Sequence, residues 1–199
     1  VRFAYDANGN RTEKWTNGLF VARYFYDHDN QLQGISFNND SNYTDAGDYE
    51  YVYDPFGRRI KAVEDGVTRY FVYDGLDCVA ELDANKNLTK CYTRGLGLGG
   101  GIGDVIAEWR PSATNWYSYN HRGDVALLTA NGGLGTNRFE YTAFGSLSTI
   151  TNQQSTRSMG FSSKEFDEKS GLNYYGFRYY DPHSARWMTK DPLYEAAGY

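Results

Sequence analysis

The 199-residue sequence has little proline, methionine or cysteine, and it is poor in aliphatic side chains. It contains 4 Pro, 2 Met and 2 Cys, and hydrophobic residues of all kinds make up 40% of it, although aromatic residues alone make up 17%. The scarcity of aliphatic residues argues against a helical bundle, whose core depends on them. Since no apolar run approaches the roughly 18 to 20 residues of a membrane-spanning helix, no membrane span is predicted.

Positive charge is also limited. The 20 Lys and Arg residues stand against 25 Asp and Glu residues, which gives a formal net charge of -5. Because the basic residues are scattered singly, they form no footprint for a phosphate backbone, and we expect no nucleic-acid partner. The first residues do not resemble a secretory signal segment, and the absence of an initiator Met suggests a fragment or a processed piece.

The few residues that commonly bind metals are poorly arranged for it. Cys78 and Cys91 lack CxxC partners and a nearby His cluster, so we predict no zinc site and no cofactor. Two buried free thiols are expected, with one disulfide as the alternative. His28, His121 and His183 are isolated among turn-forming residues, which favours turn positions over catalytic ones.

Aromatic residues and glycine are abundant, with 19 Tyr, 11 Phe, 4 Trp and 22 Gly. Aromatic side chains favour β-strands, and glycine favours the tight turns that join them. A chain of this length is also long enough to bury a core. The composition therefore predicts an all-β fold.

A short repeat runs along the chain. The dipeptide Tyr-Asp occurs five times, whereas about 1.5 copies would be expected from the composition. The copies begin at Tyr5, Tyr26, Tyr53, Tyr73 and Tyr180, and degenerate copies begin at Tyr92, Tyr119 and Tyr141. Their uneven spacing indicates hairpins with loops of variable length.

Residues 49–63 (YEYVYDPFGRRIKAV) show the internal pattern of the repeat best. Alternating residues predict a strand on each side of a turn, in which Asp54, Pro55 and Gly57 stand at favoured positions. The repeated Asp suits an Asx-type turn, so most Asp residues here are expected to be structural. Hairpins of this kind, stacked side by side, would form one continuous sheet.

The glycine run at residues 94–103 (RGLGLGGGIG) contains a G-x-G-x-x-G match. No βαβ unit surrounds it, and no helix-forming segment follows it, so phosphate binding is disfavoured. We interpret the run as a flexible or tightly packed crossover between hairpins.

Tyr-Asp copies of this form resemble the YD repeats of Rhs proteins and of Tc-toxin C components. Five further segments resemble the Rhs repeat-associated core domain: 120–129 (NHRGDVALLT), 138–145 (RFEYTAFG), 171–182 (GLNYYGFRYYDP), 186–187 (RW) and 191–192 (DP). We therefore assign residues 1–119 to YD-repeat hairpins and residues 120–199 to a core domain.

This resemblance implies a curved or spiral β-shell that encloses a toxin, with an inward-turning core segment at its C-terminal end. The implied partners are the protein's own C-terminal toxin segment, the upstream YD-repeat shell and a secretion-system component. The implied location is outside the cell or on the bacterial cell surface.

The resemblance also implies a site. In the family, the core domain cuts the toxin from the shell with two aspartates that resemble those of an aspartic protease, and their positions match Asp167 and Asp191. Two carboxylates that share a proton can activate water and donate to the scissile carbonyl. A turn or cap role is the alternative for both residues.

Further residues of the core motif are supporting candidates. Arg178 and Arg186 match arginines that recur in the family, and either could orient a carboxylate. The interpretation that we favour for each is that it joins strands by pairing with Asp181 and its neighbours. Lys164 and Glu165 are supporting candidates because they lie beside Asp167 in the sequence.

Two functions follow from these expectations. The first is a toxin shell that cleaves itself in cis, with Tyr199 as the new C-terminus; a fragment boundary at Tyr199 is the alternative. The second is a non-catalytic cell-surface or carbohydrate-binding β-repeat protein, because exposed Tyr and Trp rings also stack on sugars.

Overall fold

The computed structural model describes residues 1–130, 136–151 and 157–191. As predicted, the fold is all-β: these residues form two antiparallel sheets and a 3-10 turn at Phe161–Ser163. The large sheet has fourteen strands in chain order. They are β1 Arg2–Tyr5, β2 Arg11–Thr16, β3 Leu19–Tyr26, β4 Leu32–Ser36, β5 Tyr49–Tyr53, β6 Arg59–Glu64, β7 Val67–Asp74, β8 Asp77–Leu82, β9 Leu88–Arg94, β10 Val105–Arg110, β11 Ala113–Tyr119, β12 Val125–Ala130, β13 Thr136–Tyr141 and β14 Leu147–Thr151.

The small sheet has four strands, also in chain order. They are β15 Glu165–Phe166, β16 Asn173–Tyr174, β17 Tyr179–Asp181 and β18 Arg186–Trp187. Each strand has only two or three residues, so this sheet depends on packing against the large one.

The predicted Asx turns close the hairpins. The carboxylate of Asp54 accepts hydrogen bonds from the N–H groups of Phe56 (2.9 Å) and Arg58 (3.0 Å). The N–H of Gly57, whose φ is +80°, donates to the carbonyl of Asp54, and a bulge follows in the register. The same backbone pattern follows Asp6, Asp27, Asp83, Asn120 and Thr142. The degenerate copies at Tyr119 and Tyr141 are therefore confirmed as hairpin turns.

Successive turns and loops of the large sheet lie at opposite ends of its strands, because neighbouring strands are antiparallel and follow the chain order. Two ends, here called rims, can therefore be distinguished. The "YD-turn rim" carries the turns at Asp6, Asp27, Asp54, Asn120 and Thr142. It also carries the glycine-rich segment, which joins β9 to β10 as the predicted crossover. The "opposite rim" carries the β4–β5 loop at 37–48 and the β6–β7 turn at 65–66. The domain boundary drawn at 119/120 lies between β11 and β12 of the large sheet.

The main core lies between the two sheets. Tyr49 and Tyr51 of β5 are buried on one face of the large sheet. The small sheet and its adjoining residues add Leu172, Tyr174, Tyr179 and Met188 to the same cluster. The rings of Tyr51 and Tyr179 meet at a centroid distance of 5.4 Å. The C-terminal segment thus covers the buried face of the repeat sheet, which agrees with the predicted inward turn.

The cysteine prediction is only partly right. Both cysteines are free thiols, but Cys91 is exposed and Cys78 is half-buried. Cys91 lies opposite Ala80 and Trp109 on the face of the large sheet that the small sheet does not cover. The three histidines lie in turns, as predicted.

Candidate functional site

Asp167 lies in the turn between β15 and β16. Its carboxylate accepts hydrogen bonds from the N–H of Ser170 (2.6 Å) and from the hydroxyl of Tyr49 (3.2 Å). The backbone N–H of Asp167 donates to the carbonyl of Leu172. Asp167 therefore has the turn role expected as the alternative, while its second carboxylate oxygen faces the large sheet.

Tyr49 holds its proton at this position. Burial, followed by the charges of Asp167 and Asp65, raises the pKa of Tyr49 above its ordinary value. The hydroxyl therefore keeps its proton and acts as a hydrogen-bond donor to Asp167.

Asp191 follows β18 and is about half exposed. Its Oδ2 lies 2.7 Å from a guanidinium nitrogen of Arg178, whose guanidinium carbon in turn lies 4.2 Å from the ring centroid of Trp187. Arg178 thus pairs with Asp191, and Asp181 is buried against Arg11. The supporting role of Arg178 in catalysis stays a prediction.

The contacts of the two aspartates place them near different ends of the large sheet. Tyr49, the partner of Asp167, begins β5 at the opposite rim. The Lys190 side chain, next to Asp191, packs against Gly9 of a YD turn. A proton shared by the two carboxylates would therefore require the segment that carries Asp191 to move.

The other predicted residues have separate surroundings. Lys164 donates to the carbonyl of Gly100 at 2.6 Å, and burial lowers its pKa. Arg186 is exposed and pairs with Asp181 only through the strand register. Tyr199 lies outside the described residues.

Glu165 is a centre of charge pairing that the sequence showed only as a neighbour of Asp167. Its carboxylate forms ion pairs with Arg59 and Arg69, and Arg59 also donates to the hydroxyl of Tyr179 at 2.9 Å. Burial of Glu165 opposes its ionisation, but the charges of Arg59 and Arg69 outweigh that effect and hold its pKa at about 2. Glu165 thus joins the small sheet to β6 and β7.

A second buried pair was also missed. Arg11, the first residue of β2, lies 2.6 Å from a carboxylate oxygen of Asp181, and both side chains are fully buried. Asp181 also accepts hydrogen bonds from the N–H groups of His183 and Ser184, as its predicted turn role requires. No local sequence signal connects the two members of this pair, because 170 positions separate them.

A cavity of about 170 Å³ opens beside Asp167 at the opposite rim. Basic side chains from β7, β9, β10 and the segment before β15 line it together with two carboxylates. These charged residues are Arg69, Lys90, Arg110, Arg157, Glu165 and Asp167.

Three aspartates of the β4–β5 loop could together hold a cation. One oxygen each from Asp40, Asp45 and Asp48 lies within 4.8 Å of the others. Asp48 also accepts hydrogen bonds from the N–H groups of Phe37 (3.1 Å) and Asp45 (3.3 Å), so the cluster organises the loop. No metal is needed for that role.

Hairpins with Asx turns, arranged in chain order and marked by Tyr-Asp, define a YD-repeat β protein. The chain is related to the Rhs and YD-repeat toxin proteins. It is 30% identical over 194 residues to the "tRNA3(Ser)-specific nuclease WapA" of Bacillus spizizenii, an alignment that covers 95% of this chain and 8% of that protein. It is 29% identical over 189 residues to the "Probable deoxyribonuclease RhsB" of Dickeya dadantii, covering 89% of this chain and 12% of that protein.

Among solved structures, the chain shares its fold with TcdB2-TccC3. The TM-score is 0.69 at 20% sequence identity, over 95% of this chain and 10% of that one. No protein-family model matches the chain. The described residues also include no helix that is long and apolar enough to cross a membrane.

Proposed function

We propose that this chain is a shell segment of a polymorphic toxin, and that its repeat sheet helps to enclose an effector. The observation that carries the proposal is the small C-terminal sheet on the buried face of a continuous YD-repeat sheet. The sharing of this fold with TcdB2-TccC3 along 95% of the chain supports it. A repeat sheet with one covered face is suited to separate an interior from the surroundings.

The proposed reaction is one intramolecular peptide hydrolysis, after Tyr199, that frees the effector. Asp167 and Asp191 are the proposed catalytic carboxylates. The ionised one takes a proton from water, whose oxygen bonds to the carbonyl carbon, and the protonated one donates to the carbonyl oxygen. The carbon–nitrogen bond then breaks, and the nitrogen leaves as an amine after taking up a proton.

This reaction places a demand on the structure. Arg178 holds Asp191 near the YD-turn rim, while Tyr49 holds Asp167 near the opposite rim. The segment after β18 must therefore rearrange before the two carboxylates can act together. The half-exposed side chain of Asp191 makes that segment the easier one to move.

The test is mass spectrometry of the full-length gene product, purified without added protease. The parent protein should yield a fragment that ends at Tyr199, and Asp167→Asn and Asp191→Asn should each leave the chain intact. Asn can still accept the turn hydrogen bond from Ser170, so Asp167→Asn should fold. Glu168→Gln, an exposed neighbour, is the matched control and should be cleaved like the parent.

Complete processing of both Asn variants would contradict aspartate catalysis. An uncleaved parent would favour the second candidate, a non-catalytic cell-surface or carbohydrate-binding protein. The observation that favours this candidate is the pair Trp109 and Trp116 on adjacent strands, 42% and 51% exposed. Exposed aromatic rings of this kind can stack on sugars.

The proposed partners are the protein's own C-terminal effector, the upstream repeats and a secretion-system component. The proposed location is outside the cell or on the bacterial surface. The relation to the Rhs and YD-repeat toxin proteins supports both.

A further inference from the structure

Most charges that line the cavity beside Asp167 are neutralised by neighbours. Arg69 pairs with Glu64, Glu81 and Glu165, and Lys90 also pairs with Glu81. These ion pairs neutralise the positive charges of Arg69 and Lys90, on the side of the cavity formed by β7 and β9. On the β10 side, Arg110 pairs with Glu108 and donates to Ser158.

One cation of the cavity is not neutralised in this way. Arg157 donates to the hydroxyl of Tyr141, and its guanidinium carbon lies 5.0 Å from the ring centroid of Phe139 and 5.2 Å from that of Phe166. These contacts fix the guanidinium without cancelling its charge. Within the described residues, no carboxylate lies in ion-pair distance of Arg157.

Asp167 is the anion of the cavity that likewise forms no described ion pair. The described partners of Asp167 are the neutral donors Ser170 and Tyr49, and within residues 1–130, 136–151 and 157–191 no cation forms an ion pair with it. The cavity therefore presents one unneutralised positive charge and one unneutralised negative charge. A simple anion would be attracted by Arg157 but repelled by Asp167, and a simple cation would meet the reverse.

We propose that this cavity binds a peptide group of the polypeptide that is cut, with Arg157 as the group that contacts its carbonyl oxygen. A peptide group is neutral and dipolar, so its oxygen can face Arg157 while its carbon faces Asp167 through a water molecule. This inference rests on the proposed self-cleavage and adds a catalytic residue to it.

The proposed role of Arg157 is to stabilise the oxyanion. As Asp167 takes a proton from water and the water oxygen bonds to the carbonyl carbon, the carbonyl oxygen gains negative charge, and Arg157 donates hydrogen bonds to it beside the protonated Asp191. The carbon–nitrogen bond then breaks, and the nitrogen takes the proton held by Asp167. The fixed position of Arg157 between rings makes it a prepared donor.

The test is the rate of self-cleavage of the full-length gene product with Arg157→Gln. Loss of one oxyanion donor should slow cleavage about 100- to 1,000-fold. Arg157→Lys keeps the charge but not the planar guanidinium group, so its cleavage rate should lie between the rates of the parent and of Arg157→Gln. Added guanidinium ions at millimolar concentration should partly restore Arg157→Ala, a result that a purely structural role would not give.

Arg122→Gln is the matched control, because Arg122 also lies over a ring, that of Phe161, and does not line the cavity. It should cleave at the parent rate. If Arg157→Gln folds and cleaves at the parent rate, the inference is overturned while self-cleavage stands. If Arg157→Gln fails to fold, Arg157→Lys and Arg157→Ala replace it in the test. Cleavage of Arg157→Lys at the parent rate, or no effect of guanidinium ions on Arg157→Ala, would then overturn the inference. If the parent protein does not cleave, the proposed function and this inference both fail.

Discussion

Tyrosine hydroxyls join neighbouring hairpins. The hydroxyl of Tyr53 donates to the carbonyl of Leu32 at 2.7 Å, and Leu32 begins the second strand of the preceding hairpin. Equivalent bonds run from Tyr26 to Arg11, from Tyr73 to Arg59 and from Tyr119 to Val105. Burial raises the pKa of Tyr53, so the donor keeps its proton. These bonds explain why the repeat uses Tyr rather than Phe before the turn.

The Tyr53→Phe variant should therefore be less stable. It removes one buried hydrogen bond and leaves the Leu32 carbonyl without it, so the free energy of unfolding should fall by about 1 kcal/mol. Urea unfolding measures the change. Tyr5→Phe is the control, because the Tyr5 side chain is 47% exposed. Equal stability of the two variants would show that the hydroxyl of Tyr53 is not structural.

Among the elements, the first strand residue after a YD turn contacts the small sheet in two of the hairpins. This position holds Arg11 in β2 and Arg59 in β6, and both are buried against the small sheet. It holds Leu32, Val125 and Leu147 in β4, β12 and β14. A single repeat position thus holds an apolar side chain in some hairpins and an arginine that pairs with the small sheet in others.

Breaking one of these ion pairs should be costly. Arg11→Met leaves Asp181 buried without its main cation, and the free energy of unfolding should fall by about 3 to 5 kcal/mol. Adding Asp181→Asn should recover part of that loss, since the unpaired charge disappears. Arg186→Met, at an exposed position of the same sheet, should change stability by less than about 0.5 kcal/mol. Additive losses in the double variant would argue against a direct ionic contact.

At the scale of the whole molecule, buried ion pairs make the union of the two sheets sensitive to acid. The pKa of Glu165 lies at about 2 in the fold, well below its ordinary value, because Arg59 and Arg69 outweigh the effect of burial. A lowered folded pKa stabilises the protein above the pKa of the unfolded chain and loses that effect as pH falls through the folded value.

We therefore expect stability that is level down to about pH 5 and then falls between pH 4.5 and pH 2. Glu165 should contribute on the order of 3 kcal/mol to the free energy of unfolding at neutral pH. Glu165→Gln should be less stable at neutral pH and show a flatter acid limb, whereas the exposed control Glu140→Gln should follow the parent. Chemical unfolding across pH 2 to 7 measures this; parallel curves for Glu165→Gln and the parent would refute it.

The hairpins could be predicted from sequence because their chemistry is local. Asp54 and Gly57 lie three residues apart and bond to each other's backbone, so the pattern and the contact coincide. The turn at Asp83 was missed because Leu82 replaces the tyrosine, although the Asp-x-Asn-x-Asn run was a usable signal. Arg157 could not be predicted as a site residue, because its proposed role depends on which of the neighbouring charges already form ion pairs with one another.

The chain-order sheet also has a consequence for the order of assembly. Each strand pairs with the next one in the chain, so hairpins can form while the polypeptide is still being synthesised. The ion pair between Arg11 and Asp181 joins residues 170 positions apart and can form only after Asp181 has been synthesised. The large sheet therefore forms before the small sheet packs against it. Any segment that is to lie on the covered face must be in place before the ion pair between Arg11 and Asp181 forms.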